Sequence, residues 1–163
     1  MELMEYREEY KEAVTNYFLT DEMTYFTGTP QENIALSQKN PQHHPILAFS
    51  QQKLVTFFVL DAESQKADYT DENDALLLRS FSTDARFLRR GYAKEALRLL
   101  PDFVKTHFPA MKQIVLAVNK KNSAAKKLYY SVGFVDSGEE KMGSKMIAAS
   151  FGLSALTCFL LNG

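Results

Sequence analysis

The chain has 163 residues, 45% of them hydrophobic, enough for a single domain to build its core without cross-links. Lysine and arginine number 19 against 20 aspartate and glutamate, a formal charge of -1, which removes any overall electrostatic case for a nucleic-acid partner. Cys158 is the single cysteine, so no internal disulfide forms, and no residues carry the spacing of a metal site. A reducing, cytoplasmic setting without a metal is expected.

The first residues, MELMEYREEYKEA, mix acids and bases without an apolar run, so no secretory signal is expected there. Met1 to Tyr6 alternate and read as a strand. Over Glu8 to Leu19, Tyr10, Val14, Tyr17 and Phe18 fall at helical spacing and predict a helix. Thr20 to Pro30 carries Tyr25, Phe26 and Gly28 and reads as a helical flap. Pro30 suits the first turn of a second helix over Gln31 to Lys39. Ile46 to Phe49 and Leu54 to Leu60 are β-forming runs joined by a short polar connection, an antiparallel hairpin. An acidic loop follows from Asp61 to Asp74.

Ala75 to Thr83 predicts another strand, and Gln113 to Val118 a short one buried on both faces; the two are expected to sit centrally. Between them Ala93, Ala96, Leu97, Leu100, Val104 and Phe108 fit one face of a helix of about five turns. Pro101 is expected to kink or break it near Leu100, since it removes a backbone bond. Asn122 is a good N-cap for a helix over Ser123 to Val132, Gly133 closes it, and Phe134 opens a further strand. After Lys145 the chain is uncharged. Its length admits a membrane anchor, but its small and hydroxylated residues favour burial in terminal strands, with no membrane partner. The order of elements calls for a mixed sheet covered by helices, of α/β or α+β class.

Two segments carry chemistry. In FSTDARFLRRGYAKEAL (Phe81 to Leu97) a strand ends, a loop crosses and Gly91 opens an amphipathic helix. Free amides and the dipole at such a start attract an anion, Gly91 lets a phosphate approach the main chain, and Arg89 and Arg90 add charge. The second segment is Asn122-x-x-Ala125-x-x-Leu128-Tyr129-x-x-x-Gly133-Phe134, directly after the apolar strand.

Together, from about Leu76 to Phe134, these segments resemble the GNAT family of N-acetyltransferases, whose loop reads Gln/Arg-x-x-Gly-x-Gly/Ala. The resemblance implies a mostly antiparallel sheet of about six or seven strands with about four helices. It further implies one domain over residues 1–163: acceptor-side elements in 1–74, the acetyl-CoA core in 75–134, and closing strands in 135–163, with a homodimer contact there. Acetyl-CoA is the implied co-substrate. Phe81, Ser82 and Thr83 would run beside its pantetheine arm, Asn122 would hold the other side, and Arg89, Arg90, Gly91, Tyr92 and Ala93 would cradle its pyrophosphate. Leu88 departs from the family pattern, standing where Gln or Arg is usual.

Acetyl transfer to an amine needs the ammonium deprotonated and the departing thiolate protonated. Tyr129 matches the family tyrosine near the sulfur and is the expected acid. No base is legible, since Ala75 to Thr83 offers only Arg79 and Ile114 to Val118 nothing ionisable. Asp21, Glu22, His43 and His44 lie on the acceptor side and could act directly or through water, but each reads first as an ordinary surface residue. Tyr17, Phe18, Tyr25 and Phe26, with the acidic loop, suit an amine with an apolar neighbour or a cationic acceptor. The acceptor stays open between a small-molecule amine and a peptide or protein amino group. Leu88 and the missing base also admit a module that binds acetyl-CoA without turnover; an unrelated nucleotide protein would not explain Asn122 to Phe134.

Overall fold

The structure, a computed structural model, describes residues 1–62, 73–141 and 144–150; residues 63–72 of the acidic loop and 151–163 of the uncharged tail lie outside them. Seven strands, β1 (Glu2–Glu5), β2 (His43–Ser50), β3 (Lys53–Asp61), β4 (Ala75–Thr83), β5 (Gln113–Asn119), β6 (Val135–Lys141) and β7 (Ser144–Ser150), form one sheet in the order β1-β2-β3-β4-β5-β7-β6. Every neighbouring pair is antiparallel except β4 with β5. This is the expected class, and the two strands read as central occupy the fourth and fifth places.

Strand alternation divides the core. Ile46, Phe58, Leu60, Leu76, Leu78 and Ile114 face helices α4 (Tyr92–His107) and α5 (Ser123–Ser131). Leu47, Phe57 and Val59 face the other way, onto Val14 of α1 (Lys11–Thr15) and Ile34 of α3 (Pro30–Lys39). A short helix α2 (Asp21–Phe26) lies between α1 and α3 in sequence. Thr29 caps α3 with a complete capping box, and Pro30 sits at its first turn as the sequence predicts.

Three local expectations change. The helix read over Glu8 to Leu19 stops early: a 3-10 turn at Glu8–Tyr10 and α1 end at Thr15. Tertiary bonds outcompete the helical ladder there. The Tyr17 hydroxyl lies 2.9 Å from Ser82 Oγ, and the Phe18 amide donates to Asp84 Oδ2 at 2.9 Å. Second, of the kink or break expected at Pro101 the break does not occur, since α4 runs from Tyr92 to His107 through it. The missing bond costs roughly 3 kcal/mol, but Leu97, Leu100, Phe103 and Val104 are buried on both sides of it, each contributing about 1.5–3 kcal/mol. Third, the strand expected from Phe134 starts at Val135, and Met146–Ser150 of the uncharged tail belongs to β7, between β5 and β6. Met146, Ile147 and Ala149 are buried there. No helix of the described residues is long and apolar enough to cross a membrane.

Candidate active site

The parallel pairing of β4 with β5 covers only Ala75 to Leu77 against Gln113 to Val115. The cause lies on the other edge of β4. Phe57 of β3 pairs with Ser82 but Val59 with Arg79, so Ser80 and Phe81 together oppose one residue. Ser80 takes φ 53°, a left-handed conformation costly for a residue with a Cβ. Such a bulge bends its strand and adds twist, turning the second half of β4 away from β5. The edge of β4 beyond Leu77 is left without a strand neighbour, and a cavity of about 440 Å³ opens in the wedge.

Phe81, Ser82, Thr83, Ala93, Asn122 and Tyr129 line this cavity. The bulge also sorts side chains. Phe81 stacks on Phe58 at 5.6 Å between ring centres and meets Tyr129 edge-on at 6.1 Å. Ser82 Oγ is engaged by Tyr17, and Thr83 Oγ1 by Thr56 Oγ1 at 3.2 Å. Their main-chain edge is therefore what Ser82 and Thr83 offer a ligand. Tyr129 is buried between Phe81 and Phe134, and its hydroxyl makes no hydrogen bond among the described residues. Burial pushes the phenol above its ordinary value, so it holds its proton.

Arg89, Arg90, Gly91 and Tyr92 run between Leu88 and Ala93, both of which line the cavity. Gly91 is the N-cap of α4 at φ 82° and supplies no capping side chain, so the first amides of a 16-residue helix stay open. Arg89 also sits at positive φ, 62°. A Cβ on Gly91 would meet nothing within 4 Å, so the glycine answers no packing demand. What it keeps clear is the space before the helix start, a fit for a phosphate. The Arg86, Arg90 and Lys53 cations lie 5.6, 5.5 and 6.0 Å from the centre of the Phe87 ring, concentrating positive charge beside this loop. Leu88 is 46% exposed and brings no polar group. Asn122 caps α5 as predicted, its Oδ1 accepting from the Ala125 amide at 3.1 Å, which leaves the Nδ2 donors for a ligand.

On the opposite side Met23, Phe26 and Thr27 of the α2 flap line the cavity, and Tyr25 and Phe26 are exposed. Gly28 permits the close approach of the flap to β4: a Cβ there would meet Asn33 Nδ2 at 3.0 Å and Ser80 Oγ at 3.4 Å. Asp21 and Glu22 are exposed and do not line the cavity. His43 is buried instead of surface-lying, with Nδ1 3.6 Å from Asp61 Oδ2 and Nε2 3.1 Å from Asn33 Oδ1. His44 pairs with Glu5 at 2.6 Å and packs on Phe108. Neither histidine lines the cavity, because β2 lies two strands from β4. No carboxylate or imidazole is among its described lining residues. Arg79, passed over in sequence as the one ionisable residue of its strand, is among them. Its Nε and Thr27 Oγ1 are the two buried side-chain atoms without a hydrogen-bond partner among the described residues. An orphaned group of this kind costs about 1–3 kcal/mol.

A half-open parallel strand pair, a bulged central strand and an anion-ready helix start beside the opening are the parts of an acyltransferase that works on coenzyme A thioesters. The chain belongs to the acetyltransferase (GNAT) family, whose model matches residues 3–134. It is 36% identical over 139 residues, 85% of this chain and 87% of the relative, to an uncharacterized N-acetyltransferase, YbbJ, of Bacillus subtilis strain 168. Among solved structures, the aminoglycoside acetyltransferase AAC(6')-Ib in complex with coenzyme A aligns with a TM-score of 0.74 at 14% identity, over 95% of this chain and 96% of its own. The PaiA N-acetyltransferase of Thermoplasma acidophilum with coenzyme A aligns at 0.62 and 15% identity, over 93% and 100%. The spermidine N-acetyltransferase of Vibrio cholerae with coenzyme A and spermine aligns at 0.67 and 16%, over 90% and 93%. At these identities the structural likeness speaks for the fold.

Proposed function

We propose that the protein moves the acetyl group of acetyl-CoA to a primary amine by direct attack within a ternary complex. The wedge between β4 and β5, with Tyr129 in its wall and the Gly91 loop beside it, carries this reading. The amides opening α4, with Arg89 and Arg90, take the pyrophosphate. The free edge of β4 at Phe81 to Thr83 bonds the pantetheine arm as a strand would, and Asn122 Nδ2 closes on its other side.

The acceptor enters from the α2 flap. Its lone pair attacks the thioester carbon, an amide of the same β4 edge bonds the developing oxyanion, and the C–S bond breaks. Tyr129 donates its proton to the departing thiolate and is reprotonated, by way of solvent, with the proton the attacking nitrogen loses as the amide forms. No described lining residue takes the ammonium proton, so the acceptor reacts as its free base, and solvent receives that proton. The reaction balances as acetyl-CoA plus amine giving amide plus free thiol. The expected location is the cytoplasm, in keeping with a single cysteine, and the whole chain serves as one catalytic domain.

Calorimetric titration with acetyl-CoA, followed by thiol release across a panel of amines, tests the proposal. Binding with amine-dependent release is expected. Binding without release by any amine points to a coenzyme-binding module, and absence of binding removes the reading.

A further inference from the structure

The two orphaned polar atoms of the described residues, Arg79 Nε and Thr27 Oγ1, belong to walls of one recess. It holds about 200 Å³, adjoins the main cavity on the flap side, and is otherwise walled by Phe26, Gly28, Leu77, Leu78, Ser80 and Ala117. Arg79 takes part in none of the ion pairs of the described residues. Asp21 and Glu22 of the flap are exposed, and the Glu32 carboxylate near Gly28 accepts from the Thr29 amide in the α3 capping box; none of the three is ion-paired with Arg79.

A guanidinium keeps its charge throughout the physiological range and presents planar donors suited to a carboxylate. A guanidinium–carboxylate pair is charge-assisted and, where bidentate, geometrically selective, and the Thr27 hydroxyl adds a further donor beside it. Arg79 precedes Phe81 by two residues, at most about 7 Å of strand. Arg79 and Phe81 both line the main cavity, so one small molecule can meet the guanidinium with one group and present its amine beside Phe81 with another. The same positive charge repels a second cation, so a diamine or aminosugar fits this recess poorly.

We infer that the acceptor is a small amino carboxylate, held by its carboxylate on Arg79 and Thr27 while its amine reaches the thioester. This rests on the transferase reading and specifies its substrate class.

The test is equilibrium binding of products, which requires no turnover. Wild-type protein saturated with coenzyme A is titrated with the N-acetyl derivatives of the common amino acids and with the matching N-acetyl carboxamides. At least one carboxylate is expected to bind tenfold or more tightly than its carboxamide. Arg79→Gln should erase that ratio and Arg79→Lys retain part of it, with coenzyme A affinity and melting temperature near wild type in both. Equal affinities for acid and amide, binding of neither, or a ratio unmoved by a folded Arg79→Gln would overturn the inference. The wild-type comparison decides even where a variant fails to fold. Coenzyme A binding is read in the same samples: its loss strikes the transferase reading, while its presence with equal acid and amide affinities strikes the carboxylate site alone.

Discussion

The ring of Tyr129 stands edge-on to that of Phe81 at 6.1 Å between centres, which fixes the buried phenol beside the stretch of β4 whose β5-facing edge is unpaired. Because its hydroxyl has no hydrogen-bond partner among the described residues, Tyr129→Phe removes a proton donor without orphaning another group. Melting temperature and coenzyme A affinity should stay near wild type. If Tyr129 protonates the thiolate, kcat falls by about 10²-fold or more, the range of general-acid contributions. Single-turnover kinetics with acetyl-CoA separate this from a binding defect, and an unchanged chemical step would take Tyr129 out of the mechanism.

Asp84 is the joint between β4 and the acceptor-side segment. Its carboxylate accepts from the Phe18 amide at 2.9 Å and from Arg86 through Nε at 2.9 Å and through a terminal guanidinium nitrogen at 2.6 Å. Burial alone would raise the carboxyl, but the Arg86 and Phe18 donors outweigh it and hold it below its ordinary value. A depressed folded value means that the stabilisation is complete above the unfolded value of about 3.9 and is lost as pH falls through the lower folded one. Arg86 is half exposed, so the ion pair itself adds little; the buried acceptors matter more. Asp84→Asn should cost about 1–3 kcal/mol in urea unfolding at pH 7. The gap from wild type should narrow as the pH is taken below 4; a gap constant with pH would show that charge is not the cause.

How far the sequence announced these features depended on how local their causes are. The Asn122 cap, the Gly91 start, Pro30 in the first turn of α3 and the span of β4 rest on neighbours within a few positions, and the chain states them directly. The bulge at Ser80 does not. It arises from pairing with β3 more than 20 residues away in the chain, and nothing in ALLLRSFST marks which residue is surplus. Without the bulge Arg79 and Phe81 would share a face; with it, Phe81 joins Tyr129 and Arg79 opens toward the flap. The early end of α1 was hidden for the same reason, since Tyr17 and Phe18 are drawn off by Ser82 and Asp84, 65 and 66 positions on. His43 read as a surface residue because its partners Asn33 and Asp61 meet it only in the folded sheet.

Gly91 gives a sharp test of the phosphate loop. Its φ of 82° disfavours any side chain, and the space a Cβ would enter is open. Gly91→Ala should therefore lower stability by about 1 kcal/mol through backbone strain alone. Gly91→Glu adds a negative charge where the pyrophosphate is expected, and should raise the Kd for coenzyme A by 100-fold or more. The decisive measurement is calorimetry with coenzyme A and with dephosphorylated pantetheine. The Glu variant should lose the first far more than the second, and an equal loss of both would place the pyrophosphate elsewhere.

The pH profile follows from what lines the wedge. With no carboxylate or imidazole among the described lining residues, the step that frees the amine is set by the acceptor's own ionisation. An alkyl ammonium titrates near 10, so below that value the reactive fraction rises tenfold per pH unit. Tyr129, raised by burial above the ordinary phenol value, stays protonated across the same range and does not oppose the rise. kcat/KM should therefore climb with unit slope from pH 6 and level off near the pKa of whichever amine is supplied. Paired acceptors of different basicity check this directly. A plateau that shifts with the acceptor is expected; a fixed inflection near pH 6 or 7 for every acceptor would reveal a protein base that these cavity walls lack.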